Sequence, residues 1–337
     1  MALTKVSNSM LVQPVNHNIL INPSFTVKQR GDVVDHAGST ASFGPDRWRV
    51  RGKDYVGGTK VESSTEVDDA TGINKLVVTH EGTTSDHALI WQYIEAVNLQ
   101  GLYGKEMTFS FGYSDTGGSG IPRVYVGGWD SSTNPEDLHR GIPTPLGNNR
   151  WACTFTLSTK DGTIPDPNEI GMQVIIYANS DNGGNLNNAP AKWSVWETKL
   201  EVGSVATPFI ARQYGEELAL CQRYYYMMAD KRSGSTKGAL IGTAFKYATS
   251  THTFANLPVE MRSIPTLVKV FNGPSALRVL MAGSPVNFSE LEIDVDSTTT
   301  MVRFNSTNYH VSSAPDGSGG WLRINEDDSY VALDAEL

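Results

Sequence analysis

Three observations predict an all-β chain, a jelly-roll β-sandwich followed by a short helix and a second, smaller β-sandwich. The 337 residues carry 32 glycines and 16 prolines spread along their whole length. These interrupt nearly every run of strong helix formers, which favours many short strands. Between residues 46 and 202, segment after segment shows period-two alternation or a short β-branched and aromatic run, with turn-rich connections and no helical interlude. Finally, Lys192 to Met228 reads as an alternating strand, a break at Gly203 and Pro208, a short helix over Glu216 to Arg223, and an aromatic strand led by Tyr224, Tyr225 and Tyr226. Such a run joins two β-rich units. The predicted divisions are an N-terminal arm at 1–18, the jelly-roll at 19–210, a linker with the short helix at 211–233, and the second β-sandwich at 234–337.

The arm, Met1 to Asn18, mixes polar residues with isolated apolar ones and is too short to bury a core of its own. Asn18 to Phe25 (NILINPSF) reads as a short apolar strand cut by the turn signal Asn22-Pro23. The jelly-roll strands are predicted at DRWRV (46–50), KLVVTH (75–80), ALIWQYI (88–94), MTFSFGY (107–113), RVYVG (123–127), WACTFTL (151–157), GMQVIIYA (171–178) and Lys192 to Val202. In the second unit the expected strands are 238–247, 251–254, 266–271, 277–281, 288–295, 301–305, 320–325 and the terminal 330–337.

Composition excludes several functions. A net charge of -9 with pI near 5.3 supplies no Lys/Arg excess to displace counterions from phosphates, so neither nucleic acid nor an anionic membrane is an expected partner. No stretch approaches the ~18 apolar residues of a membrane helix, and the N-terminus lacks the pattern of a secretory signal. Cys153 and Cys221 sit in apolar or aromatic settings and read as buried free thiols of a chain made in a reducing cytoplasm.

Chemistry-bearing patterns are sparse. The seven histidines form no HxxxH pair, and neither a GxSxG elbow nor a P-loop is present. The paired carboxylates Asp68-Asp69, Asp294/Asp296 and Asp327-Asp328 fall in turn-like contexts, where Asp bonds its own backbone; a glycosidase pair would need a separation that sequence does not show. No cofactor is expected, and calcium is the one possible ion, because 180–188 and 130–137 are oxygen-rich. Trp129, after two glycines and at the mouth of a polar loop, is with Asp130 the candidate ligand contact, against the alternative of a packed or loop-anchoring indole. Trp193 and Trp196, three apart, point to opposite faces of one strand, one into the core and the other to the surface or an interface.

Leu200 to Tyr226, LEVGSVATPFIARQYGEELALCQRYYY, resembles a segment of bacteriophage tail-fibre and related receptor-binding proteins. There, a jelly-roll similar to a carbohydrate-binding module ends in L-E-x-G-x-x-A-T-P-F, and G-E-E-L-x-x-C-Q-R-Y-Y follows. NILINPSF, Gln29-Arg30-Gly31, Asp46-Arg47-Trp48 and Gln92 to Leu102 resemble the opening of that module. LPVEMRSIPTLV (257–268) and the terminal LDAEL resemble the small β-domain behind it, and ALTKVSNSM resembles the virion-facing start of such chains. The resemblance implies a homotrimer in the virion tail, assembled in the host cytoplasm, attached to other tail proteins through the arm and binding host-surface polysaccharide. Modules of this shape often hold calcium through an acid after the first strand's Phe and an Asp pair in the last strand. Here Thr26-Val27 follow Phe25, and Glu201 is the one matching acid. The resemblance also implies that Leu218, Leu220, Cys221 and Tyr224 are mostly buried, at a domain or subunit interface. Two functions follow, a non-enzymatic adhesin and a structural virion adaptor or decoration protein; the Asp pairs alone motivate a third, a glycan-degrading enzyme.

Overall fold

The computed structural model describes residues 17–337 except 32–33, 38–40, 54–59, 82–86, 117–119, 130–134, 160, 179–191, 234–238, 249 and 307–313. It divides into two compact units, Met1–Glu217 with Leu337, and Leu218–Glu336.

Unit one is a sandwich of two antiparallel sheets. Its strands are β1 (Val34–Ala37), β2 (Ser42–Phe43), β3 (Arg49–Lys53), β4 (Lys60–Val67), β5 (Asn74–Glu81), β6 (His87–Glu95), β7 (Glu106–Thr116), β8 (Arg123–Gly128), β9 (Glu136–Gly141), β10 (Thr144–Gly147), β11 (Arg150–Thr156), β12 (Ile170–Tyr177) and β13 (Lys192–Val202). The seven-stranded sheet runs β1-β4-β5-β13-β7-β11-β10 and the six-stranded sheet β2-β3-β6-β12-β8-β9. Alternate residues of both sheets meet in one core, with Leu76, Phe109, Phe111, Trp193 and Val195 from the first and Val50, Ile90, Val126, Val174 and Ile176 from the second.

Two expected strands of unit one differ in the structure. Asn18 to Phe25 is a buried turn, because Asn22 and Phe25 take left-handed backbones (φ 54° and 57°) that break the regular pairing of a ladder. The strand expected at 46–50 begins at Arg49, because Arg47 (φ 71°) is left-handed and the Trp48 amide closes a turn onto the Pro45 carbonyl. Side chains take over the hydrogen bonding that a ladder would supply to 18–25. The Asn22 amide donates to the carbonyls of Val27 and Asp46 and accepts from the Val27 N–H, each at 2.9–3.0 Å. The Asn22 carbonyl accepts the Trp48 indole N–H. Gln92 brackets Ile21, and Asn18 bridges Thr198 and Leu200 of β13.

Unit two holds most of the single α-helix found among the described residues, α1 (Tyr214–Gln222), whose first turn lies in unit one. Its strands are β14 (Tyr225–Asp230), β15 (Leu240–Tyr247), β16 (Ser250–Asn256), β17 (Thr266–Val270), β18 (Leu277–Met281), β19 (Ser284–Phe288), β20 (Glu292–Ile293), β21 (Met301–Ser306), β22 (Gly319–Ile324) and β23 (Tyr330–Asp334). A three-stranded sheet, β14-β23-β17, shares a core with a seven-stranded one, β19-β18-β22-β15-β16-β21-β20. The aromatic run assigned to the linker is therefore largely strand β14. The strand expected at 288–295 splits, because Asp294 opens a turn that accepts from the N–H groups of Asp296 and Ser297 and leaves Val295 95% exposed.

Asn22 is fully buried and supplies three side-chain hydrogen bonds. Its replacement by Ala strands the Val27 amide and forces alanine into a left-handed backbone. Asn22→Ala should cost about 2–4 kcal/mol, read by denaturant unfolding; a loss below about 0.5 kcal/mol would contradict this account.

Candidate functional site

The core claims every second residue of the six-stranded sheet, and the alternation then places a defined set of side chains on its other face. On β6, Ala88, Ile90 and Ile94 point inward, so Leu89, Trp91 and Tyr93 point outward. On β12 the outward set is Gln173, Ile175 and Tyr177; on β8 it is Arg123, Tyr125 and Gly127; on β3 it includes Arg49 and Arg51.

Antiparallel register arranges these as rows across the strands. One row reads Phe43, Arg49, Trp91, Ile175, Tyr125, Arg140. A second reads Tyr93, Gln173, Gly127, Asp137, and a third Arg51, Leu89, Tyr177, Arg123. The face thus alternates aromatic planes with guanidinium and amide donors.

Contacts between these side chains fix their orientation. Tyr93 stands edge-on to Trp91 (6.5 Å between ring centroids) and to Trp129 (6.1 Å). The Arg49 guanidinium lies 4.9 Å from the Phe43 ring centre and 5.3 Å from that of Tyr93, and Arg30 covers Phe43 at 4.2 Å. At the other edge Arg140 stacks on Tyr125 at 4.5 Å and forks onto Asp137 with bonds of 2.9 and 3.2 Å. Gly127 leaves the space that the Tyr125 ring fills, since a β-carbon there would approach its hydroxyl to 3.0 Å and Pro135 to 2.9 Å.

Burial raises the Tyr125 phenol pKa, with the Asp137 charge adding to it. Burial also raises that of Tyr177, on which the charges of Arg140, Asp137 and Arg51 all bear. His139 on β9 is pushed down by burial, and its Nε2 has no hydrogen-bond partner among the described residues. The phenols of Tyr125 and Tyr177 therefore stay neutral hydrogen-bonding groups across the physiological range.

Among the residues singled out from sequence, Trp129 sits half-buried just past β8, its N–H bonded to the Gly171 carbonyl and its ring against Tyr93. Its indole N–H has no partner among the described residues. Asp130 and loop 180–188 lie outside the described residues, as does most of 130–137 and residues 1–16 of the arm. Trp193 is core, but Trp196 is buried as well, because it packs flat over Gly112 and under the Lys75 ammonium at 5.0 Å. Cys221 and Tyr224 are buried, whereas Leu218 and Leu220 are only half-buried. Cys153 and Cys221 form no disulfide and are both buried, and burial pushes the Cys153 thiol up to about 12.

Glu201 does not fit a calcium ligand. One carboxylate oxygen accepts the Thr207 N–H (2.8 Å), and the other accepts the Thr207 hydroxyl (2.6 Å) and lies 3.0 Å from the buried Lys199 ammonium. Lys199 occupies the place of a cation. No group of three or more His, Cys, Asp or Glu side chains able to hold a metal occurs among the described residues.

At least one carboxylate of each sequence pair is similarly engaged. Asp68 is tied to Lys75 and to Thr71, which holds it near pKa 2. Asp294 and Asp296 both grip Arg303, and Asp327 pairs with Lys231. A general acid for glycoside cleavage needs the opposite shift.

No protein-family model matches this sequence, and no curated protein matches it. Several solved structures are similar in fold. One is the enzymatically active domain of tailspike protein 4 of bacteriophage CBA120 (12% identity, 55% of this chain and 21% of that one, TM-score 0.31). A second is a Bacteroides thetaiotaomicron protein described as sugar-binding (13%, 56% and 100%, TM-score 0.34). A third is a family 11 carbohydrate-binding module from Clostridium thermocellum in complex with a mixed-linked tetrasaccharide (16%, 48% and 91%, TM-score 0.29). Identities this low speak to fold alone, and TM-scores of this size leave any functional argument to the sheet face itself.

Two outcomes follow from this geometry. Removing one partner of the buried Lys199–Glu201 pair costs about 3–5 kcal/mol, so Glu201→Ala should be destabilised equally in calcium and in chelator; a wild-type melting temperature that rises with calcium would restore the ion. Tyr125 and Tyr177 hold their protons more tightly folded than unfolded. Their stabilising contribution is therefore complete below pH about 10 and is lost as pH rises through their folded values. Ultraviolet titration should show a late tyrosine class that shrinks in Tyr125→Phe and Tyr177→Phe, and a single transition at the free-tyrosine value would contradict it.

Proposed function

We propose that this chain is a non-enzymatic adhesin of the bacteriophage tail-fibre type, whose six-stranded sheet face in unit one binds host-surface glycans. The observation that carries the reading is the face itself: ring planes of Tyr93, Tyr177 and Trp129 set among the guanidiniums of Arg49, Arg51 and Arg140, with the buried Gln173 amide in the row of Tyr93. Sugars present apolar C–H faces rimmed by hydroxyls, and a surface alternating aromatic planes with amide and guanidinium donors matches both. The motif resemblance over Leu200 to Tyr226 supports the tail-fibre setting, with attachment to other tail proteins through residues 1–18 and a homotrimeric assembly in the virion. The ion pairs that hold Asp68, Asp294, Asp296 and Asp327 support binding without cleavage.

A structural adaptor is the second reading. It is favoured by one observation: Glu201, Thr207 and Glu217, three polar residues of the motif, are spent inside the fold.

A glycan array with the purified full chain, followed by affinity measurement on the best ligand, separates these. Under the adhesin reading Tyr93→Ala, Tyr177→Ala and Trp129→Ala each weaken binding about tenfold, or about 1.4 kcal/mol, with melting temperatures kept, and the glycan is not shortened on incubation. An adaptor would bind no glycan, and its residue 1–18 deletion would be lost from particles. Shortening of the glycan would overturn the non-enzymatic reading.

A further inference from the structure

Unit two carries an exposed aromatic and cationic face of its own. In its seven-stranded sheet, Leu322 and Ile324 of β22 enter the core, which places Trp321 and Arg323 together on the outer face, roughly 7 Å apart along the strand. Trp321 is 49% exposed. Large indoles usually find burial, so an exposed one within a groove is informative.

The groove holds about 800 Å³, and its lining includes Leu240, Thr243, Phe254, Asn256, Trp321 and Arg323. A β-bulge forms its floor, since the pairing of β15 with β22 slips by a residue between Leu240 and Gly242. Gly242 is required there: a β-carbon would approach the Phe254 carbonyl to 2.4 Å. Across β15, Trp321, Thr243 and Phe254 form one row, so the indole plane has a hydroxyl and a second ring beside it.

Charge decides the class of ligand. Arg323 stands directly opposite Arg278 on β18, a like-charge cross-strand pair that costs stability. Arg278 donates to the neutral Asn287 amide at 2.9 Å, and among the described residues no carboxylate pairs with either guanidinium. Arg303 on the same sheet, in contrast, is neutralised by both Asp294 and Asp296. Two unneutralised guanidiniums are kept beside an exposed indole in a chain of net charge -9. That pairing suits an anion presented next to a flat apolar ring.

We propose that this groove is a second carbohydrate site, specific for an acidic sugar, with the pyranose ring on Trp321, its hydroxyls on Thr243 and Asn256, and its carboxylate on Arg323 and Arg278. It stands independently of the glycan face in unit one and assigns unit two a selectivity for uronate-type residues.

Calorimetry on the full chain tests it with three probes: an oligogalacturonate, the neutral maltohexaose and an oligoglutamate peptide. The wild-type chain is expected to bind oligogalacturonate at least about tenfold more tightly than maltohexaose or the peptide, and less tightly at high salt. Trp321→Ala and Arg323→Gln each reduce that affinity about tenfold, and Trp321→Phe retains most of it. All three variants keep the wild-type melting temperature and the array binding that Tyr177→Ala weakens. The proposal is overturned if the wild-type chain binds no oligogalacturonate, or if maltohexaose or the peptide binds as tightly. It also fails if Tyr177→Ala abolishes uronate binding while Trp321→Ala does not, or if Trp321→Ala only dissociates an oligomer.

Discussion

The buried amide of Asn22 is the constraint on which the first unit depends. Residues 18–25 are apolar enough to be drawn into the sandwich, yet their backbone takes two left-handed residues and makes no ladder. An unpaired buried peptide group costs about 1–3 kcal/mol, so the segment is tolerable only because its polar groups are met, a few by backbone of β13 and the turn itself and the rest by side chains. Asn22 joins it to Val27, Asp46 and Trp48, and Gln92, Asn18 and Thr198 join it to the two sheets. Glu217 completes the set, accepting the Asn22 N–H at 2.5 Å while paired with Arg212 at 3.1 Å.

The same economy explains the most recognisable residues of the chain. In LEVGSVATPF, Glu201 receives both the N–H and the hydroxyl of Thr207, and the buried Lys199 ammonium neutralises it. In GEEL, Glu217 locks the Asn18–Asn22 backbone through Arg212. These pairings pin the end of the central strand β13 and the turn at 18–22, and set the chain's exit from the sandwich. Such motifs identify an architecture. Under the proposed reading, ligand recognition falls to the outward-facing residues, whose identities the core does not constrain.

Most of the fold was legible from period-two alternation, which located β13 at its observed limits, Lys192–Val202, and β18 at Leu277–Met281. Polar strands escaped it. Lys60–Val67 (KVESSTEV), Glu136–Gly141 and Thr144–Gly147 carry too few apolar residues to announce themselves, as expected for strands near sheet edges. The site was less legible, because attention to loops singled out Trp129 and missed Tyr93, Tyr125, Tyr177 and Arg140. The available signal was the complement of the core pattern, the residues at i, i+2 and i+4 that the sandwich does not use. Even with those in hand, the row that brings Trp91, Ile175 and Tyr125 side by side depends on strand order β6-β12-β8, which no local pattern encodes. Trp196 misled for a related reason: its face of β13 is covered by Lys75, a contact between strands distant in sequence.

The central claim is that the outer face of the six-stranded sheet receives a sugar. A crystal structure of the full chain with its best array ligand tests this most directly. The account predicts pyranose density against Tyr93, Tyr177 or Trp129, with hydroxyls on Gln173 or Arg140. Ligand bound elsewhere on unit one, with this face unoccupied, would contradict it.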